Sequence, residues 1–187
     1  MIHPQRIEPQ PGQESVWDYP RPPRLERCLY TTSVQCAKRY PLGRLASQSP
    51  KQIKVVFNEM TIADSCNTYR VLETSHPPVY YIPPEDIQME YLEAVNFGRT
   101  FCEWKGLAAY YNLNVKNQKV INAAWYYPQP TTAFLPIKDY VAFYPSKMDA
   151  CYVDGELVKA QAGNLYGGWI TQDIVGPFKG EAGSQGW

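Results

Sequence analysis

The chain lacks a charge imbalance: 18 lysines and arginines are matched by 18 aspartates and glutamates in 187 residues. A dedicated nucleic-acid binder needs a basic face that displaces counterions from phosphates, and here the charges are scattered, so no nucleic-acid partner is expected. Long apolar runs are missing as well. No stretch approaches the roughly 20 residues of a membrane helix, and the start, MIHPQRIEPQPGQESVWDYPRPP, has no apolar core of the secretion-signal type. A soluble, cytoplasmic protein without a membrane partner is the expectation. Histidine is scarce, with only His3 and His76. The cysteines (Cys28, Cys36, Cys66, Cys102, Cys151) are odd in number and contain no C-x-x-C pair, which excludes a zinc-ribbon signature and a dense disulfide framework. Reduced thiols are the simplest reading, and nothing in the spacing announces a metal site. Absent too are the phosphate loop G-x-x-x-x-G-K-S/T and the motifs G-x-G-x-x-G, G-x-S-x-G and H-E-x-x-H, so no mechanism or cofactor is fixed by a motif.

Helical periodicity is weak throughout, and strand signals take its place. Residues 1–50 carry eight prolines, which remove backbone donors and bias their predecessors toward extended geometry. Trp17, Tyr19, Leu25, Leu29, Tyr30 and Val34 can anchor this stretch on a folded body, with a short helix within Leu25 to Lys38. Residues 51–160 read as a β domain. Ile53, Val55 and Phe57 alternate with Gln52, Lys54 and Val56, and Arg70–Thr74 and Val79–Ile82 are rich in strand formers. Leu107–Val115 and Val120–Tyr127 make a hairpin about Asn117-Gln118, and Asp154-Gly155 is a strong two-residue hairpin signal. Glu85–Leu92 and Ile137–Tyr140 are the short helical candidates, the first started by Pro84 and favoured by Glu85 and Asp86. Residues 161–187 hold seven of the twelve glycines, interleaved with Tyr166, Trp169, Phe178 and Trp187. Such a tail packs on the domain or on a second copy, so a homodimer through the tail is one candidate partner. The fold class expected is all-β, mainly antiparallel coiled sheets in a tent-like form or a small barrel or sandwich, with one or two short helices.

Three constellations carry usable chemistry. In ETSHPPVYYIPP (Glu73–Pro84), two proline pairs lock a short strand and aim Glu73, His76, Tyr80 or Tyr81 into a cleft. The plain alternative is that the prolines turn corners, the tyrosines pack and His76 satisfies a carbonyl. In FCEWKG, an extended reading puts Cys102 and Trp104 on one face and Lys105 on the other, with Gly106 breaking the strand. Cys102 is a nucleophile candidate with His76 as base, set against the commoner inert buried cysteine. In AAWYYPQP and DYVAFYPSKMDAC, small residues beside Trp125, Tyr127 and Tyr144 open a slot for a planar ligand, or make a tyrosine-rich core. Arg70, Lys105 and Lys147 are the candidate cations for an anionic group.

The blocks ETSHPPVYYIPPEDI, CEWKGLAAYYNL, NAAWYYPQP and IKDYVAFYPSKMDACYVDGE, in this order and spacing over roughly residues 52–160, resemble the domain-of-unknown-function-427 family. The resemblance implies a compact all-β domain of coiled-sheet, tent-like architecture and supplies no established catalytic residues. The nucleotidyltransferase-like label attached to that family requires paired carboxylates for two metals, and no such pair stands out. Three functional readings follow from the residues. The leading one is a small-molecule-binding domain with an aromatic cleft. The second is an enzyme using Glu73 and His76 for acid–base chemistry, with Cys102 as nucleophile. The third is an interaction or assembly factor acting through its terminal extensions.

Overall fold

The proline-rich start is held by strand pairing. In the computed structural model, which describes residues 5–28, 51–163 and 165–184, β1 (Glu14–Ser15) runs parallel to Ile174–Val175, and β2 (Arg24–Arg27) pairs antiparallel with Tyr69–Glu73. The helix expected within Leu25 to Lys38 is therefore a strand at its start, Cys28 continues by donating its N–H to the Thr68 carbonyl, and the range from residue 29 on lies outside the described residues.

Alternation and turn chemistry then build the domain. β3 (Ile53–Phe57) buries Ile53, Val55 and Phe57 and turns into β4 (Met60–Ser65) through Asn58 and Glu59. Both turn residues have positive φ, 47° and 62°, the backbone whose twist suits a tight hairpin. β5 (Tyr69–Glu73) returns as β6 (His76–Tyr81). β7 (Leu92–Ala94) and β8 (Thr100–Cys102) flank β9 (Gly106–Val115), which turns at Lys116-Asn117 into β10 (Gln118–Tyr126). β11 (Val141–Phe143) follows, then the Asp154-Gly155 hairpin of β12 (Ala150–Val153) and β13 (Glu156–Leu157). The tail adds β14 (Lys159–Ala160), β15 (Trp169–Ile170) and β16 (Ile174–Val175).

The strands form open sheets rather than a closed barrel: β13-β12-β3-β4, β11-β10-β9-β7 with β8 also on β9, β2-β5-β6, and the pairs β14-β15 and β1-β16. Among the described residues, every strand pairing except β1-β16 is antiparallel. The main core joins Ile53, Val55 and Phe57 to Leu113, Val115, Phe143 and Trp169. A second cluster, including Tyr81, Trp125, Tyr127, Phe134 and Ala142, lies under the candidate site. Among the described residues no helix is long and apolar enough to cross a membrane.

Of the two helical expectations, one breaks into separate 3-10 turns and the other is displaced upstream. Over Glu85–Leu92 the chain makes turns at Pro84–Asp86 and Met89–Tyr91, then enters β7. Tertiary bonds break the helix: Ser65 Oγ donates to Asp86 at 2.6 Å, Gln88 N donates to the Ile62 carbonyl, and Ile87 bridges Ala63. The second helical segment is Thr132–Ile137, and Lys138 and Asp139 leave it to bridge Tyr127.

The C-terminal tail packs on its own domain. Trp169 is fully buried, its ring 5.4 Å from that of Tyr80 and its Nε1 donating to the Phe143 carbonyl. Ile174 and Phe178 sit with Val16, Tyr19 and Leu72, Trp17 Nε1 donates to the Pro177 carbonyl, and Lys51 pairs with Asp173. The two extensions thus brace one another. One expectation fails: Cys66 is disulfide-bonded, its partner outside the described residues, whereas Cys28, Cys102 and Cys151 are free thiols. An odd count without C-x-x-C says nothing against a single long-range bridge, because connectivity is set by the fold.

Candidate functional site

The β5–β6 hairpin supplies the first wall of a cleft. Pro77 and Pro78 have no N–H to give the ladder, and the pairing slips between Val71 and Glu73. After the slip Glu73 stands opposite His76, while Val71 stays opposite Val79 and Tyr69 opposite Tyr81. Val71, Glu73, His76, Pro77, Val79 and Tyr81 consequently all line the cleft. The His76 ring is fixed by its Nδ1, 3.0 Å from the Thr74 carbonyl, which makes Nδ1 the protonated nitrogen of the neutral ring and leaves Nε2 with the lone pair.

The second wall is the β8–β9 hairpin. Glu103, Trp104 and Lys105 form its turn, and Gly106 closes it at φ 98°, where a Cβ would sit 3.2 Å from the Gln129 carbonyl oxygen. Thr131 clamps this turn, its N–H donating to the Lys105 carbonyl and its Oγ1 to the Trp104 carbonyl. Because the chain turns here instead of running straight, Cys102 and Lys105 reach the same cleft, against the opposite faces expected from alternation. Lys105 is only 9% exposed; its Nζ lies 3.9 Å from Glu73 Oε2 and 5.7 Å from the Phe134 ring centroid.

The floor is aromatic. Trp125 Nε1 donates to the Tyr81 hydroxyl at 3.2 Å, and the Trp125 and Tyr144 rings lie 4.4 Å apart. Cys102 packs against the cluster that contains Tyr127. Burial pushes the Tyr81, Tyr127 and Tyr144 phenols above their ordinary range, so all three are neutral donors at physiological pH. Thr100 and Tyr110 exchange a 2.6 Å hydrogen bond at the rim.

The third wall comes from the tail. The Gln161 N–H donates to the Gly168 carbonyl, closing a loop whose Gln161, Leu165, Tyr166 and Gly167 line the cleft. The Tyr166 ring meets His76 edge-on at 5.3 Å. Gly167 presses on Trp125, where a Cβ would fall 2.2 Å from Cη2. The enclosed space is about 380 Å³ and open to solvent, within the range of small-molecule sites.

Of the residues singled out from sequence, Glu73, His76, Cys102, Lys105, Trp125, Tyr127 and Tyr144 line this cleft. Arg70, Tyr80, Trp104 and Lys147 are not among its lining residues. Arg70 points to the other face of β5, where Glu14 and Glu26 hold it at 2.5–3.1 Å. Burial pulls its pKa down, but these carboxylates more than offset that and hold it above the ordinary value. Tyr80 is buried against Trp169, and Trp104 sits in the hairpin turn, packed on the second cluster. Lys147 donates to the Ile121 and Asn122 carbonyls, with its ammonium 5.0 Å from the Tyr144 ring centroid.

Sequence reasoning offered Tyr80 or Tyr81 and settled on Tyr80, whereas Tyr81 lines the cleft; it missed Tyr110 and the tail residues. Tyr110 was marked by sharing a strand face with Ala108; the tail residues carry no local signal. Among the described residues no group of three or more histidine, cysteine, aspartate and glutamate side chains is placed to hold a metal ion. Comparison with curated proteins finds no match. A family model matches residues 45–154, more than half of the sequence, and the chain belongs to that family, described as a domain of unknown function (DUF427).

Proposed function

We propose that this protein is a small-molecule-binding domain whose ligand occupies the cleft between the β5–β6 hairpin, the β8–β9 hairpin and the 161–168 loop. The observation that carries the reading is convergence. Glu73, His76, Cys102, Lys105 and Trp125 come from separate strands and turns, yet all line one solvent-connected space of about 380 Å³. Aromatic walls with a few convergent polar groups are the usual make-up of such a site. Each ring buried against a ligand contributes on the order of 1–3 kcal/mol, so a few contacts reach micromolar affinity. The test is a small aromatic fragment set titrated against tryptophan emission, in the wild type and in Trp125→Phe. Saturable changes that disappear in the variant support the reading; changes that persist unaltered remove Trp125 from the site.

A second reading, an enzyme, is favoured by one observation. The Thr74 carbonyl orients the His76 ring on the same wall as Glu73, an arrangement fit for acid–base chemistry. If His76 activates Cys102, His76→Ala should slow alkylation of Cys102 while leaving the buried Cys28 and Cys151 unreactive. An unchanged Cys102 rate removes the covalent mechanism.

A further inference from the structure

The hairpin that frames the cleft carries two acid–base pairs of very different quality. On one face of β5, Arg70 meets Glu14 and Glu26 at 2.5–3.1 Å, the geometry of an ion pair that holds a fold together. On the other face, Glu73 Oε2 stands 3.9 Å from Lys105 Nζ, beyond hydrogen-bond reach. Neither group has a hydrogen bond to any described residue, although the Lys105 side chain is 11% exposed and that of Glu73 33%. A largely buried ammonium recovers its lost hydration only through close partners. This pair stands apart, and both residues line the cleft.

Resting on the cleft reading above, we propose that the ligand is a small aromatic zwitterion of the α-amino-acid type, its carboxylate against Lys105 and its ammonium against Glu73. A plain anion on Lys105 meets the Glu73 carboxylate, and a plain cation on Glu73 meets the Lys105 ammonium; each is repelled by the group it does not pair with. An ammonium and a carboxylate carried by one α-carbon fit between the two and satisfy both. Among the described residues that line the cleft Lys105 is the one lysine or arginine, and Arg70 and Lys147 are occupied elsewhere. Beyond the pair the walls are Tyr81, Trp125, Tyr127 and Tyr144, which suit one aromatic ring in offset or edge contact. A volume of about 380 Å³ lies at the small end of ligand sites and matches a single-ring body.

The experiment is titration of the full chain with L-phenylalanine, 3-phenylpropionate, phenethylamine and indole, read by Trp125-dependent emission. Phenylalanine is expected to bind, with the two single-charge analogues and neutral indole weaker by about tenfold or more. Glu73→Gln should narrow the gap between phenylalanine and 3-phenylpropionate, and Lys105→Gln the gap between phenylalanine and phenethylamine. Tm measurements on both variants separate a binding effect from misfolding. Equal or tighter binding of 3-phenylpropionate, phenethylamine or indole overturns the zwitterion while leaving the aromatic cleft standing. Absence of any effect from all four probes overturns the zwitterion alone if other aromatic fragments still bind there, and the cleft reading with it if they do not.

Discussion

Replacing Gly167 by alanine tests whether the tail forms a wall of the cleft. Gly167 does not have positive φ, so alanine meets no backbone penalty there. The obstacle is Trp125, whose Cη2 and Cζ3 would lie 2.2 and 2.8 Å from the new Cβ. That indole cannot swing away freely, because Tyr81 accepts its N–H and Tyr144 packs on its face. Either the ring shifts off its bond to Tyr81 or the 161–168 loop lifts. Overpacking of this kind costs about 1–3 kcal/mol, and each kcal/mol lowers Tm by about 2–4 °C in a chain of this size. Calorimetry gives the shift, and tryptophan emission compared with Trp125→Phe shows whether the indole environment changed. A Gly167→Ala protein with wild-type Tm and unaltered emission would mean that the loop does not rest on Trp125.

Arg70→Met leaves Glu14 and Glu26 without their shared cation and should cost about 2–3 kcal/mol in urea unfolding, kept modest by the exposure of Glu14; cleft ligands should bind it unchanged, and a loss of binding would place Arg70 in the site after all. Thiol titration in denaturant without reductant should find three free thiols among the five cysteines, and five would contradict the Cys66 bridge. Asp173 loses favourable hydration on burial, yet bonds from Lys51 and Thr171 hold its pKa below the ordinary value. A depressed carboxylate stabilises the fold above its unfolded pKa and loses that contribution as pH falls. The Tm gap between wild type and Asp173→Asn should therefore be steady above about pH 5 and shrink below about pH 4; a gap that widens on acidification would refute the pairing with Lys51.

The strands were legible in the sequence where turn chemistry and alternation agreed. Asp154-Gly155 and the run Ile53, Val55, Phe57 gave their hairpins because each signal is local. Several of the errors sit where one residue breaks the count. Counting alternate residues from His76 selects Tyr80 for the cleft, but the slip between Val71 and Glu73 lets His76 and Pro77 share that side, so Tyr81 faces in. The turn at Glu103–Lys105 reverses the side expected for Lys105, and a register shift between Val120 and Ala124 places Ala123 in the main core rather than beside Trp125. Bulges are tertiary accommodations, invisible to a period-of-two reading. The tail wall was illegible for a different reason. Its contacts with His76 and Trp125 span some 40 to 90 residues of sequence, and nothing local in GGW marks a glycine pressed on an indole.

The most direct test of the cleft as a ligand site is the indole N–H region of a ¹H–¹⁵N spectrum during titration with small aromatic compounds. The Trp125 signal, assigned by its loss in Trp125→Phe, is expected to move because its N–H sits on Tyr81 in the cleft floor. The signals of Trp17 and Trp169, bonded to the Pro177 and Phe143 carbonyls away from the cleft, should stay in place. A Trp125 signal unmoved by every compound, or one that shifts no more than those of Trp17 and Trp169, would contradict the account.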